Sequence, residues 1–448
     1  MHSVVVGLGK TGASCLRYLS KRGITVRATD SRRAPPGLAE LGPLADSLDL
    51  RLGGFDLSLL DGASQILISP GVSLEEPIAR AARARGIPVL GDVELFARHV
   101  HAPVIGITGT NGKSTVTTLV ARMAAAAGRR VLAGGNLGVA ALDLLEQPTP
   151  DLYVLELSSF QLETTSSLEL LAAVVLNVTT DHLDRYPSMA AYALAKSRIF
   201  AHAATVVLNA DDPLVAAMRG MALRTVTFSI AAADADRGGS PADFSLLREG
   251  AKTFLAGHGS ALLDTARMKI SGLHNAANAL AALALGEAAG LPMPAMLDTL
   301  ESFPGLPHRS QWIADAAGVR YVDDSKGTNV GATMAAVAGM AGPLVMIAGG
   351  QGKGQDFTPL AQAFRGKVRH AVLIGEDAAQ LTAALTGVCT TEIAASMQEA
   401  VAAAARAARA GDTVLLSPAC ASFDMFRDYG HRGEVFAAAV RNLNASAA

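Results

Sequence analysis

At 448 residues the chain is long enough for two to four domains, and half of it is apolar, so each domain can bury a core. A formal net charge of −2 without any basic block argues against a nucleic-acid partner, and no apolar run approaches the ~20 residues of a membrane span. The sequence opens on a strand pattern with no signal peptide, which predicts a cytoplasmic protein, and Cys15, Cys389 and Cys420 lack metal-type spacing and read as reduced, mostly buried thiols.

Residues 1 to about 91 alternate strand and helix. Ser3 to Val6 is a strand, Thr11 to Lys21 a helix, Ile24 to Asp30 and Gln65 to Ser69 strands, and Glu75 to Arg85 a helix, the pattern of a small parallel α/β domain. Between its first strand and helix lies Gly7-Leu-Gly-Lys-Thr-Gly12, with Asp30 ending the second strand. This is the dinucleotide fingerprint and its ribose-binding acid, which invites an NAD-dependent oxidoreductase. Ninety residues are too few for a full dinucleotide fold, however, and Ser31-Arg32-Arg33 suits phosphate or a base, so a nucleotide-diphosphate pocket is the preferred reading.

A second region, 92–304, begins with an apolar strand, Pro103-Val104-Ile105, followed by Gly106-Ile-Thr-Gly-Thr-Asn-Gly-Lys-Ser-Thr115 and a helix start at Val116 to Met123. Strand, Gly-rich loop, Lys-Ser-Thr and helix is the arrangement that cradles phosphates: backbone N–H groups face the anion, the Lys adds a full charge, and the hydroxyl after it can hold Mg²⁺. The glycines fall at 106, 109 and 112, with Ile107 where the strict P-loop pattern has Gly, which marks a subtype of triphosphate site. Buried strands follow at Leu152 to Leu157, Ala173 to Val178 and Thr205 to Leu208. Asp234 to Gly259 reads as a less regular strand region, and Asn275 to Gly290 as a helix. Glu156 ends one strand beside the phosphate loop, a natural place for a Mg²⁺ ligand. Asn177-Val-Thr-Thr-Asp-His182 follows another strand and ends in a second potential ligand, while Lys196, as a simple cation, would repel a metal. Asn275 and Asn278, three apart at a helix start, share one face and can bind a purine or ribose.

The last region, 305–448, alternates again: strands at Val319 to Asp323, Pro343 to Ala348, Ala371 to Gly375 and Thr413 to Ser417, with a helix at Met397 to Ala410 between the last two. Three strand-terminal loops here are rich in ligand-type residues: Asp323-Asp-Ser-Lys-Gly-Thr-Asn329, Gly349-Gly-Gln-Gly-Lys-Gly354 and Ser417-Pro-Ala-Cys-Ala-Ser422. All lie at the carboxyl edge, where open α/β sheets bind ligands. Only nine of the 38 Lys and Arg residues are Lys, yet Lys10, Lys113, Lys196, Lys326 and Lys353 all fall in such motifs. A Lys is a compact charge with a reactive amine, for which Arg is no substitute.

Taken together, GITGTNGKST, LELSSFQLE, NVTTDHLDRY, AKSRIF, GLHNAANALAA, LPHR, DDSKGTN, GGQGKG and LSPACASFDMF resemble the Mur ligase family from end to end. The resemblance implies an α/β protein of three domains. Rossmann-like N-terminal (1–91) and C-terminal (305–448) domains would flank a central P-loop ATPase-type mononucleotide-binding domain (92–304), with hinges near Gly91 and Gly305. It implies an ATP- and Mg²⁺-dependent amide ligase of cytoplasmic peptidoglycan precursor synthesis. Among family members the motifs are most similar to those that join D-glutamate to UDP-N-acetylmuramoyl-L-alanine through an acyl phosphate, acting as monomers. Carried onto this chain, Gly9, Lys10, Thr11, Ser31, Arg32, Ser69, Gly71 and Asn136 would hold the UDP substrate. Gly109, Thr110, Asn111, Gly112, Lys113, Ser114, Thr115, Asn275, Asn278, Arg309, Asp324 and Lys326 would bind ATP. Ser114, Glu156, His182 and Lys196 would serve the metal ions, Lys196 as a carbamate, an anion that removes the charge conflict. Lys113, Glu156, His182 and Lys196 would form the catalytic set, and Thr328, Lys353, Ser422 and Phe423 would surround the glutamate. Gly327, Gln351 and Tyr429 depart from the commoner Ala, Asp and Phe of relatives and bear on glutamate contacts. A folylpolyglutamate-type or L-glutamate-adding ligase, an NAD-dependent oxidoreductase and a non-catalytic nucleotide switch are the alternatives.

Overall fold

The structure is a computed structural model. It describes residues 1–446 except 137, 219–222, 235–241, 271 and 341; the expected irregular region 234–259 therefore lies partly outside the described residues. Two compact units are formed, one from Met1–Val178, Ala190–Leu263 and Asn278–Leu300, the other from Thr179–Met189, Asp264–Ala277 and Glu301–Ala448.

The first unit contains two sheets. The N-terminal one comprises β1 (His2–Val6), β2 (Val26–Asp30), β3 (Asp49–Leu52), β4 (Ala63–Ile68) and β5 (Val89–Leu90) in the order β3-β2-β1-β4-β5. All its pairings are parallel. The order reverses at β1, so the crevice at the carboxyl ends of β1 and β4 is a topological switch point, where such sheets take their ligands. The strands are apolar because helices cover both faces. On one side Val4, Val6, Ile66 and Ile68 pack with Ile78, Ala79 and Ala82 of the helix Pro77–Ala84. The helix Lys10–Lys21 approaches β1 closely: a Cβ at Gly12 would lie 2.0 Å from the Gly7 carbonyl, so only glycine fits there.

The second sheet of this unit holds β6 (Val104–Thr108), β7 (Val131–Gly135), β8 (Leu152–Glu156), β9 (Leu170–Val175), β10 (Ala203–Asn209), β11 (Arg224–Asp234), β12 (Phe244–Glu249), β13 (Lys252–Gly257) and β14 (Ser260–Asp264). Its order is β14-β13-β12-β11-β10-β9-β6-β8-β7. The strands from β7 to β12 run parallel and β13 turns antiparallel to β12. β6 thus lies between β8 and β9, which sets the phosphate loop between the chain leaving Glu156 and the chain leaving Val175.

The second unit carries β15 (Gln311–Ala316), β16 (Val319–Asp323), β17 (Leu344–Gly349), β18 (Val368–Ile374), β19 (Thr390–Ile393) and β20 (Thr413–Leu416), ordered β15-β16-β20-β17-β18-β19. Only β15 runs antiparallel to its neighbour. Period-two alternation divides its core between two faces. Leu344, Met346, Ala348, Leu373 and Leu415 face one helical layer, and Val345, Ile347, Val372, Ile374, Val414 and Leu416 the other. Helix bounds shift by a residue or a few from expectation. The phosphate-loop helix is Lys113–Ala126, the expected Asn275 helix is Leu273–Ala288, and the 397 helix stops at Ala407 because Ala408 is extended. Among the described residues no helix is long and apolar enough to cross a membrane.

Candidate active site

In the first unit, β6 delivers the chain into the loop 109–112, and the helix starts at Lys113. Gly112 caps that helix with φ +86°, and a Cβ there would stand 2.3 Å from Asn278 Oδ1, so both backbone and space require glycine. The loop is braced from β9. The Thr110 amide donates to the Asn177 carbonyl (2.9 Å), the Asn111 amide to Asn177 Oδ1 (2.8 Å), and Asn177 Nδ2 returns a bond to the Asn111 carbonyl (3.1 Å). Lys113 Nζ folds back onto the loop carbonyls of Gly109 and Thr110, each at 2.9 Å. Ser114 and Thr115 are buried in the first helical turn.

Lys196, 1 % exposed, donates to the same Gly109 carbonyl at 2.9 Å, and its Nζ lies 4.4 Å from the Tyr192 ring centroid. Lys113, Lys196 and Asn278 therefore converge on one loop.

Glu156, 2 % exposed, ends β8 beside it. Its Oε1 accepts from Asn136 Nδ2 at 2.6 Å, while Oε2 is buried with no hydrogen-bond partner among the described residues. An orphaned carboxylate oxygen at a phosphate loop, with the Ser114 hydroxyl nearby in sequence to the loop Lys, fits a Mg²⁺ ion. Among the described residues no three His, Cys, Asp or Glu side chains cluster as a metal cage.

A cavity of about 720 Å³ lies at the switch point of the N-terminal sheet and is lined in part by Asn136, the partner of Glu156. Gly9, Lys10, Thr11, Ser31, Arg32, Ser69, Gly71 and Asn136, the full set expected for the UDP substrate, all line it. Asp30 is not available to a ribose. Its Oδ2 accepts from the Leu8 amide (2.6 Å) and an Arg32 nitrogen (2.7 Å), and its Oδ1 from the Arg32 amide (2.8 Å) and Nε (2.9 Å). Burial alone would raise its pKa, but these bonds outweigh burial and hold the carboxyl below its ordinary value. A carboxylate so engaged weakens the NAD reading, and it fixes the Arg32 side chain at the pocket wall. Lys10 Nζ also reaches across to the Gly138 carbonyl.

The second unit gathers the remaining candidates at the carboxyl edge of its sheet. Asp324, buried after β16, accepts from the Ser310 amide (3.0 Å) and the Ser417 hydroxyl (2.8 Å). Lys326 Nζ lies 3.8 Å from the Tyr429 ring centroid. It is the ring and not the hydroxyl that carries this contact, so Tyr replaces Phe there without losing it. Lys353 has φ +55° and its Nζ is 3.8 Å from Asp181 Oδ1. Asn329 Nδ2 meets the other Asp181 oxygen at 3.3 Å. His182 also has φ +55°, with its amide on Asp181 Oδ1. Ser422 is buried, whereas Phe423 is largely exposed. Thr328 follows Lys326 in a tight turn, its amide on the Lys326 carbonyl. Arg309 and Asn275 belong to this unit as well.

Sequence reasoning passed over Arg432. It is wholly buried and donates to Ser325 Oγ (2.9 Å) and to the carbonyls of Ser325 (2.7 Å), Cys420 (3.1 Å) and Ala421 (3.3 Å). One guanidinium thus ties the Asp323–Asn329 loop to the Ser417–Ser422 loop. Burial lowers its pKa to about 10, which leaves it protonated at neutral pH. The local signal, an Arg inside Tyr429-Gly-His-Arg-Gly433, was visible but carries no periodicity that separates it from a surface Arg.

Burial pushes the Asp324 pKa up to about 6, only partly offset by its bonds to Ser417 and Ser310 and by the Arg309 charge. The folded state therefore holds this proton more tightly than the unfolded chain does. Its contribution to stability is complete below about pH 4 and is lost as pH rises through 6, a swing on the order of 3 kcal/mol. Asp324→Asn keeps an acceptor for the Ser310 amide without the buried charge. Its melting temperature is expected to exceed that of the parent at pH 8 and to match it at pH 4.5. An equal offset at both pH values would show that the ionised carboxylate carries no such cost.

Three sequence models match the chain: a Mur ligase MurD-like N-terminal domain over residues 1–91, a Mur ligase middle domain over 107–286 and a Mur ligase glutamate ligase domain over 308–420. The chain is 53% identical over 445 residues to the UDP-N-acetylmuramoylalanine--D-glutamate ligase of Nitrosococcus oceani, covering 98% of this chain and 96% of that one. Among solved structures it resembles UDP-N-acetylmuramate-alanine ligase MurC of Thermotoga maritima (TM-score 0.63, 19% identity, all of both chains). It also resembles MurF ligase of the same organism in complex with ADP (TM-score 0.61, 17% identity, 100% and 96% of the two chains). At those identities the structural likeness speaks for the fold alone.

Proposed function

Since this chain belongs to the Mur ligase family, we propose that it is the ATP-dependent ligase that joins D-glutamate to UDP-N-acetylmuramoyl-L-alanine in peptidoglycan precursor synthesis. The observation that carries the substrate assignment is the cavity at the N-terminal switch point, lined by all eight expected UDP-binding residues and open beside Asn136, whose side chain bonds Glu156. A sugar nucleotide in the cavity, in this reading, reaches the Asn136–Glu156 pair. In this reading residues 1–91, 92–304 and 305–448 act as UDP-substrate, ATP and glutamate domains, and the enzyme is a cytoplasmic monomer.

A carboxylate does not condense with an amine directly, because its oxygen is too basic to leave. The γ-phosphoryl of ATP passes to the L-alanyl carboxylate, ADP departs, and the glutamate amine displaces phosphate from the acyl phosphate to form the amide. The chain's part is to hold two anions together and shield the intermediate. The 109–112 amides and the helix N-terminus face the phosphates. Lys113 exchanges its two loop carbonyls for the β- and γ-phosphate oxygens. Ser114 and Glu156 would hold Mg²⁺, with His182 and a carbamylated Lys196 at a second ion. Bound there, the metal offsets phosphoryl charge. Asn275, Asn278, Arg309, Asp324 and Lys326 serve the nucleotide, and Thr328, Lys353, Ser422 and Phe423 the incoming glutamate.

The test is phosphate release from ATP and Mg²⁺ with UDP-N-acetylmuramoyl-L-alanine and D-glutamate, L-glutamate or neither. Release is expected only with the UDP substrate and D-glutamate together. Release with L-glutamate alone would keep the family and change the amino acid; release with neither substrate set would sink the assignment.

A further inference from the structure

Asp92 opens the helix Asp92–Ala97, where the chain passes from the first sheet to the second. It is 1 % exposed, and its Oδ1 is buried with no hydrogen-bond partner among the described residues. Burial pushes its carboxyl up to about 6, against the opposing pull of the Gln161 amide and the neighbouring backbone. A buried acid in this state costs stability, so a purely structural site would be better served by an apolar residue. What Asp92 holds is Gln161: Nε2 of Gln161 donates to Asp92 Oδ2 at 3.2 Å.

Gln161 is buried in the helix Ser159–Glu163 just after Glu156, and it lines the substrate cavity. Its Oε1 accepts from the Ser158 amide at 3.1 Å. A backbone N–H only donates and an ionised carboxylate only accepts, so the carboxamide has one orientation, Oε1 to Ser158 and Nε2 to Asp92. Ser158 anchors only the carboxamide oxygen, through its amide and its hydroxyl (3.3 Å), and leaves the nitrogen unheld. Asp92 supplies the second point and leaves the other Nε2 hydrogen as a donor for the cavity. The surrounding backbone is fixed as well. Glu94 Oε2 accepts from the amides of Ser166 (2.7 Å) and Ser167 (3.0 Å), and a Cβ at Gly91 would lie 2.2 Å from Thr164 Oγ1.

We propose that Asp92 is a positioning residue for the sugar-nucleotide substrate: it locks the Gln161 carboxamide so that its remaining N–H donates to an acceptor oxygen of the bound sugar. This rests on reading the cavity as the UDP-substrate site. Asp92 touches no substrate itself and acts only through Gln161.

Steady-state kinetics on Asp92→Leu, Asp92→Asn, Gln161→Leu and the double Leu variant test it, varying UDP-N-acetylmuramoyl-L-alanine and ATP separately. Asp92→Leu keeps the volume and removes the acceptor. It is expected to raise KM for the UDP substrate about tenfold, the worth of one neutral hydrogen bond, with KM for ATP within about twofold. Asp92→Asn keeps an acceptor oxygen and is expected to stay near the parent. The double variant is expected to be no worse than Gln161→Leu alone, because the two residues act in series. Should Asp92→Leu not purify folded, Asp92→Ala is read in the same way. A fall in kcat with both KM values unchanged, equal damage from Asn and Leu, or multiplying effects in the double variant would each overturn the proposal. A parent enzyme that does not turn over the UDP substrate would instead overturn the substrate reading.

Discussion

Lys113→Ala is expected to lower kcat/KM by 10²- to 10³-fold or more, on the order of what one contact to developing charge is worth, while leaving the melting temperature almost unchanged. Both halves follow from where the ammonium lies. Without nucleotide it is satisfied by two neutral acceptors of its own loop, the Gly109 and Thr110 carbonyls. A triphosphate offers full negative charge at the same loop and takes the ammonium from them. The two loop-carbonyl bonds lost at a part-buried lysine are worth about 1 kcal/mol each before water replaces them. The loop does not depend on Lys113 alone, because Asn177 and the loop's own glycines also hold it. Lys113→Arg is expected to fail almost as badly, since a planar fork does not reproduce a compact point charge inside a loop this tight. Phosphate-release kinetics beside a thermal melt separate the two halves. Activity within tenfold of the parent would remove Lys113 from the phosphate site, and a collapsed melt would make its role structural.

The legible parts of this chain were those where chemistry or burial leaves a local signature. Central parallel strands such as β1, β6, β8 and β17 are covered on both faces and read as apolar runs. The phosphate loop was legible because phosphate requires glycines and a lysine in sequence order. The six strands that border the sheets, β3, β5, β7, β14, β15 and β19, were not found. Each is exposed on one side, and Asp49-Leu-Arg-Leu52 or Thr390-Thr-Glu-Ile393 carry the charges that protect an edge from mispairing. The site divides in the same way. The candidate residues at strand ends come from motifs, and the eight expected for the UDP substrate line one cavity. The braces were missed, because their partners lie far apart in sequence. Asn177 steadies Asn111 across 66 positions, Asp92 steadies Gln161 across 69, and Arg432 reaches Ser325 across 107. No window of sequence holds both ends of such a contact.

Lys196→Arg is expected to lose about 10²-fold or more in kcat/KM, and its reason is chemical, not steric. The Lys196 amine is nearly fully buried, with Nζ against the Gly109 carbonyl and over the Tyr192 ring. As an ammonium it would place a cation at the loop that must collect a triphosphate and a divalent metal, where a second lysine, Lys113, already supplies the positive charge. A carbamate reverses the sign. The amine's nitrogen bonds to CO₂ and a proton leaves, giving a carboxylate-like group that can serve a metal, while the one N–H that remains can keep the Gly109 contact. A guanidinium keeps the positive charge and cannot form that group. Two measurements decide between carbamate and simple cation. In ¹³C-bicarbonate the parent is expected to show a carbamate carbon resonance that Lys196→Arg lacks, and turnover by the parent is expected to fall in CO₂-depleted buffer and recover on adding bicarbonate. An Arg variant with near-normal activity would show that a plain cation suffices at this position and that the metal reading of Lys196 is wrong. An inactive Arg variant with no labelled carbon in the parent would leave Lys196 as a brace for the phosphate loop, acting through contacts such as that to the Gly109 carbonyl.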